Sequence, residues 1–166
     1  MPGHVIGKSL LRGFAGTISR QIDAIVEALT NKEDSAAIEF GAPVVLSSAN
    51  DGVVNWGSGN SATDFVGIAV REIKTENTYG LGDAKYNAGD VVNVLTRGSI
   101  SVVCTKDSTA THDPVKNGAV YIRKASGKFV AYSESSDTVE LSGVVWAQNG
   151  LDANGIAEIV ILDRKA

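Results

Sequence analysis

Val91-Val92-Asn93-Val94-Leu95-Thr96-Arg97-Gly98-Ser99-Ile100-Ser101-Val102-Val103-Cys104-Thr105 reads as two short strands, 91–95 and 99–105, joined by a turn at Arg97-Gly98-Ser99. Ile100 and Val102 flank Ser101, the alternation of a strand with one face in a core. The same pattern extends outward from this stretch. Strand-sized segments fall at 36–40, 43–47, 64–73, 119–123, 128–132, 139–146 and 156–162. Ile38 and Phe40 flank Glu39, and Val120 and Ile122 flank Tyr121, whereas residues 159–162 are apolar throughout and predict a strand buried on both faces. Between the segments stand Asn50-Asp51-Gly52, Ala88-Gly89-Asp90, Lys116-Asn117-Gly118, Ser126-Gly127 and Asn154-Gly155, residues that accept the positive φ of tight turns.

Composition agrees with this reading. Val and Ile supply 32 β-branched apolar residues against 9 Leu, and branched side chains suit pleated sheets better than helices. Gly is abundant at 18 and Pro scarce at 3, as expected of many short strands and tight turns. The expected fold is all-β, an antiparallel β-sandwich or barrel; a doubly wound α/β fold would need a long helix after each strand. The 166 residues and 43% apolar content fit one domain with a real core. No apolar run nears the roughly 18 residues of a membrane span, and no signal peptide is read at the start. Cys104 stands alone, so no intrachain disulfide forms.

The first 35 residues read differently. Pro2, Gly3, Gly7, Gly13 and Gly16 break regular structure over residues 1–17, predicting an extended N-terminal arm. Ile18, Ile22, Ile25, Val26 and Leu29 have helical spacing, yet the letters also permit a strand, so residues 18–29 stay open between short helix and strand. The domain reading is therefore arm and linker at 1–35 and a compact β domain at 36–166. Charge divides in the same place. Residues 1–22 carry Lys8, Arg12 and Arg20 and no acid, while the remainder holds 12 basic and 19 acidic residues. An acidic body is a poor partner for phosphate backbones, and nucleic acid is not expected to bind; a cationic arm suits an acidic protein surface.

Motifs of reactive chemistry are weak. His4 and His112 are the two histidines, and His112 with Asp113 and Asp107 falls short of a metal or triad pattern. Gly57-Ser58-Gly59-Asn60-Ser61 lacks the Lys and helix of a phosphate loop, and Gly80-Leu81-Gly82 lacks the third glycine and βαβ setting of a dinucleotide site. Glu33 and Asp34 sit in a charged cluster that reads as solvated. The expectation is no enzyme, no catalytic residue, no metal and no cofactor. Trp56, in the polar stretch 47–61, reads equally as an exposed anchor or as a lid folded over the core edge; Trp146 reads as core. Phe14 reads either as a plug for a neighbouring subunit or as packing on its own domain.

Phe14-Ala15-Gly16-Thr17-Ile18-Ser19-Arg20, then the piece from Ala37-Ile38-Glu39-Phe40-Gly41 to Leu46, then Phe65-Val66-Gly67-Ile68-Ala69-Val70-Arg71-Glu72 follow one another in an order that carries a resemblance. With Tyr86-Asn87-Ala88-Gly89-Asp90 and Pro114-Val115-Lys116-Asn117-Gly118 they span about residues 14–163 and resemble the structural cement, or head decoration, proteins of tailed bacteriophages. Glu39 replaces the proline usual in the family's Ile-Pro-Phe-Gly piece. The resemblance implies a non-enzymatic virion protein, often a homotrimer, made in the host cytoplasm. Its place would be the outer capsid surface, where it binds the major capsid protein and clamps neighbouring subunits. Lys8, Arg12, Phe14, Arg20 and Trp56 are the capsid-interface candidates, the arm adding a strand to a neighbour's sheet edge. The alternative is a carbohydrate- or host-surface-binding β module stacking ligands on Trp56 and Tyr79.

Overall fold

The computed structural model describes residues 12–32, 35–72, 85–105, 112–134 and 136–163. Its strands are β1 (Ile18–Thr30), β2 (Ile38–Glu39), β3 (Pro43–Leu46), β4 (Val53–Asn55), β5 (Phe65–Ala69), β6 (Lys85–Tyr86), β7 (Val91–Val103), β8 (Ala119–Arg123), β9 (Lys128–Val130), β10 (Thr138–Trp146) and β11 (Ile156–Ile161). A 3-10 turn, Ala62–Asp64, precedes β5. The protein is all-β, as composition requires, and its antiparallel sheet curls into a half-barrel.

Around Gly98 the structure departs from the turn that the sequence suggests. Residues 91–103 form one unbroken strand, so Arg97-Gly98-Ser99 is a bend within β7 and not a turn between two strands. Both faces of its first half are covered: Val92 and Val94 face one core, Leu95 the other. Beyond Gly98, Ile100, Val102 and Cys104 continue on the side that Leu95 faces. Odd positions give way to even ones because the bend inserts one extra residue, as a bulge does. Gly98 has φ 118°, a conformation that side chains disfavour. A Cβ there would lie 3.0 Å from Ala24 Cα and 3.2 Å from the Asp23 carbonyl oxygen.

β1 follows the bend. Ile18 lies opposite Ile100 and Arg20 opposite Ser99, but the next partners are Ile25 and Arg97, so residues 21–24 loop out across from Gly98. From Val26 to Thr30 the register against Leu95 to Val91 is regular. Residues 18–29 are thus strand, and the helical option is not taken; the branched Ile and Val content favours the sheet. This strand lies in the part of the chain that the sequence assigns to arm and linker.

Topology follows from β7. Along the sheet the order is β4-β3-β5-β7-β11-β10-β8-β9, with β1 on the second edge of β7. β5 pairs with Val94 and Leu95, and β11 pairs with Gly98 to Val103, so two strands share one edge of a long third. Each half then curls back. Lys32 N donates to the Val53 carbonyl at 3.1 Å, joining the end of β1 to β4, and Thr105 N donates to Phe129 O at 2.9 Å, joining the end of β7 to β9.

Two cores fill the two curls. The larger holds Ile100, Val102, Val120, Ile122, Phe129, Leu141, Trp146 and Ile159. The smaller holds Val44, Val53, Ala69, Val92 and Val94 beneath the two-stranded β2–β6 pair, which contributes Ile38 and Tyr86. Phe40 meets Tyr86 edge-to-face at 5.1 Å, and the Tyr86 hydroxyl donates to the Val70 carbonyl at 2.5 Å. Each fully buried Ile or Phe contributes ~1.5–3 kcal/mol. β4 lies inside the polar stretch 47–61, where no strand is expected from the sequence.

Gly98→Val is expected to destabilise the protein by about 2–4 kcal/mol through backbone strain plus the clash with β1. A urea titration followed by circular dichroism should show the midpoint falling, with one transition for both halves.

Candidate functional site

The chain enters the body along the second half of β7, and backbone bonds fix it there. Gly16 N donates to Ser101 O at 2.7 Å, Ser101 N to Thr17 O at 2.9 Å, and Arg71 N to Gly16 O at 2.8 Å. The Ser101 hydroxyl donates to Arg12 O at 3.0 Å. Gly16 and Gly41 meet back to back at φ 79° and 77°. A Cβ on either would fall 2.8–2.9 Å from the other's amide nitrogen, an approach only glycine permits.

Arg12 is the clasp. Its amide donates to Asp152 Oδ2 at 2.9 Å, and its guanidinium donates to the carbonyls of Gly150 at 2.5 Å and Asn149 at 2.7 Å. Asp152 Oδ1 also accepts the amides of Asn154 and Ile156, both at 2.8 Å. Burial pushes the Asp152 pKa up, but these backbone amides and the Arg12 charge outweigh it and hold the carboxyl below its usual range. Glu158, also buried, accepts from the Ser19 hydroxyl and from Gln148 Nε2, each at 2.7 Å. Arg20 Nε lies 3.5 Å from Glu158 Oε1 with its side chain 67% exposed.

Two side chains at this entry face outward together. The Phe14 ring is 59% exposed, and the Arg71 guanidinium lies 4.5 Å from its centroid, with the Phe40 ring 5.9 Å away on the same guanidinium. Cations and an aromatic ring therefore occupy the surface of the arm root, while Asp152 and Glu158 lie beneath it.

The structure thus brings Arg12, Phe14 and Arg20 into one region. Lys8 lies outside the described residues, as do His4, Glu33, Asp34, Tyr79, the Gly80-Leu81-Gly82 piece and Asp107. Trp56 is elsewhere. It is 7% exposed and packs in the larger core, the lid arrangement of the two the sequence leaves open. Beside it, a cleft of about 280 Å³ runs between residues 37–43 and the hairpin of β8 and β9, but the indole offers no open face for a sugar. Gly57 N donates to Asn60 Oδ1 at 2.7 Å, closing that loop on itself. His112 is exposed, its ring 5.5 Å from that of Tyr132. Among the described residues no group of three or more His, Cys, Asp or Glu is placed to hold a metal.

Sequence reasoning missed Arg71, Asp152 and Glu158. Asp152 carried a signal in Leu151-Asp152-Ala153-Asn154-Gly155, since Asp two residues before Asn-Gly favours an Asx turn. Glu158 and Arg71 carried none, because their partners are remote in the chain.

The family described as "Structural cement protein (E217 gp24/Pam3 gp6)" matches residues 4–162. The chain belongs to the structural cement protein family. No curated protein matches it. Among solved structures, a chain of "The capsid of Myoviridae Phage XM1" is similar at TM-score 0.72 and 17% identity, covering 98% of both chains. That likeness speaks for the fold, and the family for a virion structural protein of the capsid shell.

The acid dependence of the cement protein should reflect the clasp. A carboxylate with a lowered folded pKa adds stability above its unfolded value near 3.9 and loses it as pH falls through the folded value. Wild type is therefore expected to lose thermal stability below about pH 4 more steeply than Asp152→Asn, whose side chain does not titrate. Melting temperatures from pH 2 to 6 for both proteins check this.

Proposed function

We propose that this cement protein binds the outer capsid surface, contacts the major capsid protein through the arm root, and holds neighbouring subunits together as a homotrimer without catalysing a reaction. The observation that carries the reading is the Phe14 ring, more than half exposed yet held against Arg71 on a backbone pinned to β7. Aromatic residues and Arg are the side chains that most often anchor protein interfaces. A ring already held in place loses little further freedom on docking, which lowers the entropic cost of association. Arg20, and Lys8 from the leader, would orient the protein over acidic capsid residues and speed the encounter more than they tighten it.

Clamping then comes from number. Contacts that are modest singly gain on the order of 10²–10⁴ when several copies engage together. Arg12 serves as a positioning residue, since its guanidinium is spent on the carbonyls of Asn149 and Gly150. Trp56 belongs to the core and has no part in this contact.

The test uses phage heads assembled without the protein and then supplied with purified variants. Phe14→Ala is expected to weaken head binding about 10- to 30-fold, the ~1.5–2 kcal/mol of an anchoring side chain, with an unchanged melting temperature. Removing residues 1–20 should abolish occupancy. Full occupancy by either variant would refute the arm root as the contact.

A further inference from the structure

Arg71 follows β5 at the arm root, partly buried and held from several sides. Its amide donates to Gly16 O at 2.8 Å. Its guanidinium lies 4.5 Å from the Phe14 centroid and 5.9 Å from that of Phe40. Phe40 is itself fixed, 5% exposed and edge-to-face with Tyr86. Rings attract the cation without accepting its N–H groups as an oxygen does, so the planar fork stays unspent. The other arginines among the described residues are used within the chain. Arg12 donates to two carbonyls, Arg20 lies against Glu158, Arg97 against Asp23 and Arg123 against Glu134. The Arg71 guanidinium has no acceptor among the described residues, and none of its nitrogens is a buried unpartnered atom, so the fork opens to solvent. The acid beside it in sequence, Glu72, accepts from Asn93 Nδ2.

We propose that Arg71 takes a carboxylate of the shell, an Asp or Glu side chain of the major capsid protein, in two parallel N–H···O bonds with Phe14 packed beside it. The inference rests on the arm-root reading and names the chemistry of the partner. A guanidinium fork matches a carboxylate in plane and in spacing, and such charge-assisted pairs are the stronger hydrogen bonds. The rest of the molecule favours one acid over a phosphate chain. Residues 23–166 hold 12 basic and 19 acidic residues, a body that suits a polyanion poorly. Arg71 is also placed before any partner arrives, by the Gly16 carbonyl behind its backbone and by two rings along its head. Less side-chain freedom is then lost on docking. The rings keep water from part of the pair, where opposite charges attract more strongly.

Binding to heads assembled without the protein is measured across salt for wild type, Arg71→Met and Arg71→Lys. Arg71→Met keeps a long stem between the rings and removes every donor. It should bind about 10- to 100-fold more weakly and lose most of the salt dependence that wild type shows. Arg71→Lys keeps the charge without the fork and should bind about three- to ten-fold more weakly. In that variant a carbodiimide should join position 71 to an Asp or Glu of the shell protein, located by mass spectrometry; wild type has no amine there. Both variants should melt near the wild-type temperature. Undiminished binding by Arg71→Met, weaker binding with unchanged salt dependence, or no crosslink from position 71 would overturn the inference. Competition by inorganic phosphate that acetate at equal ionic strength does not match would overturn it in favour of a phosphate ligand. Weak binding by Phe14→Ala beside full binding by Arg71→Met leaves the arm-root contact standing and removes the carboxylate; full binding by both removes both.

Discussion

The bend at Gly98 is the constraint on which the rest of the architecture depends. β7 has to serve two curled half-sheets, each with its own core, and a straight strand of period two could present only alternate residues to a given side. Inserting one residue at Gly98 moves the apolar set from Leu95 to Ile100, Val102 and Cys104 without changing the side they face. The partner strand has to take up the same irregularity, and β1 does so by looping out residues 21–24. The outward position of Ile22 follows from that loop and not from any apolar pocket above it. With the bend in place, β5 and β11 can both pair along one edge of β7, and the sheet closes on itself at either end.

Electrostatics at the arm root follow from burial. A carboxylate taken out of water is costly unless donors surround it. Asp152 gathers three backbone amides, and Glu158 gathers a hydroxyl, an amide and a guanidinium. These acids are therefore spent inside the molecule. The charge division seen in the sequence, a cationic start and an acidic remainder, is partly resolved within one chain, with Arg12 and Arg20 meeting the body's own acids. Phe14, with Arg71 against its ring, and the outer part of Arg20 are what remains exposed there.

Much of the fold was legible because alternation and turn chemistry are local. The strands at 43–46, 119–123, 128–130, 138–146 and 156–161 lie close to where Val, Ile and Gly placed them. The failures have physical reasons. Arg97-Gly98-Ser99 has the composition of a turn, and only the pairing of β1 and β11 on its two sides keeps it extended. β4 is three residues long inside a polar stretch, held by β3 and not by its own propensity. Residues 18–29 carry a pattern compatible with both periods, and the choice belongs to β7. At the arm root, Phe14, Arg12 and Arg20 were visible as a basic, aromatic start, but Arg71 and the two buried acids reach it through contacts that span 50 to 140 positions, beyond any local pattern.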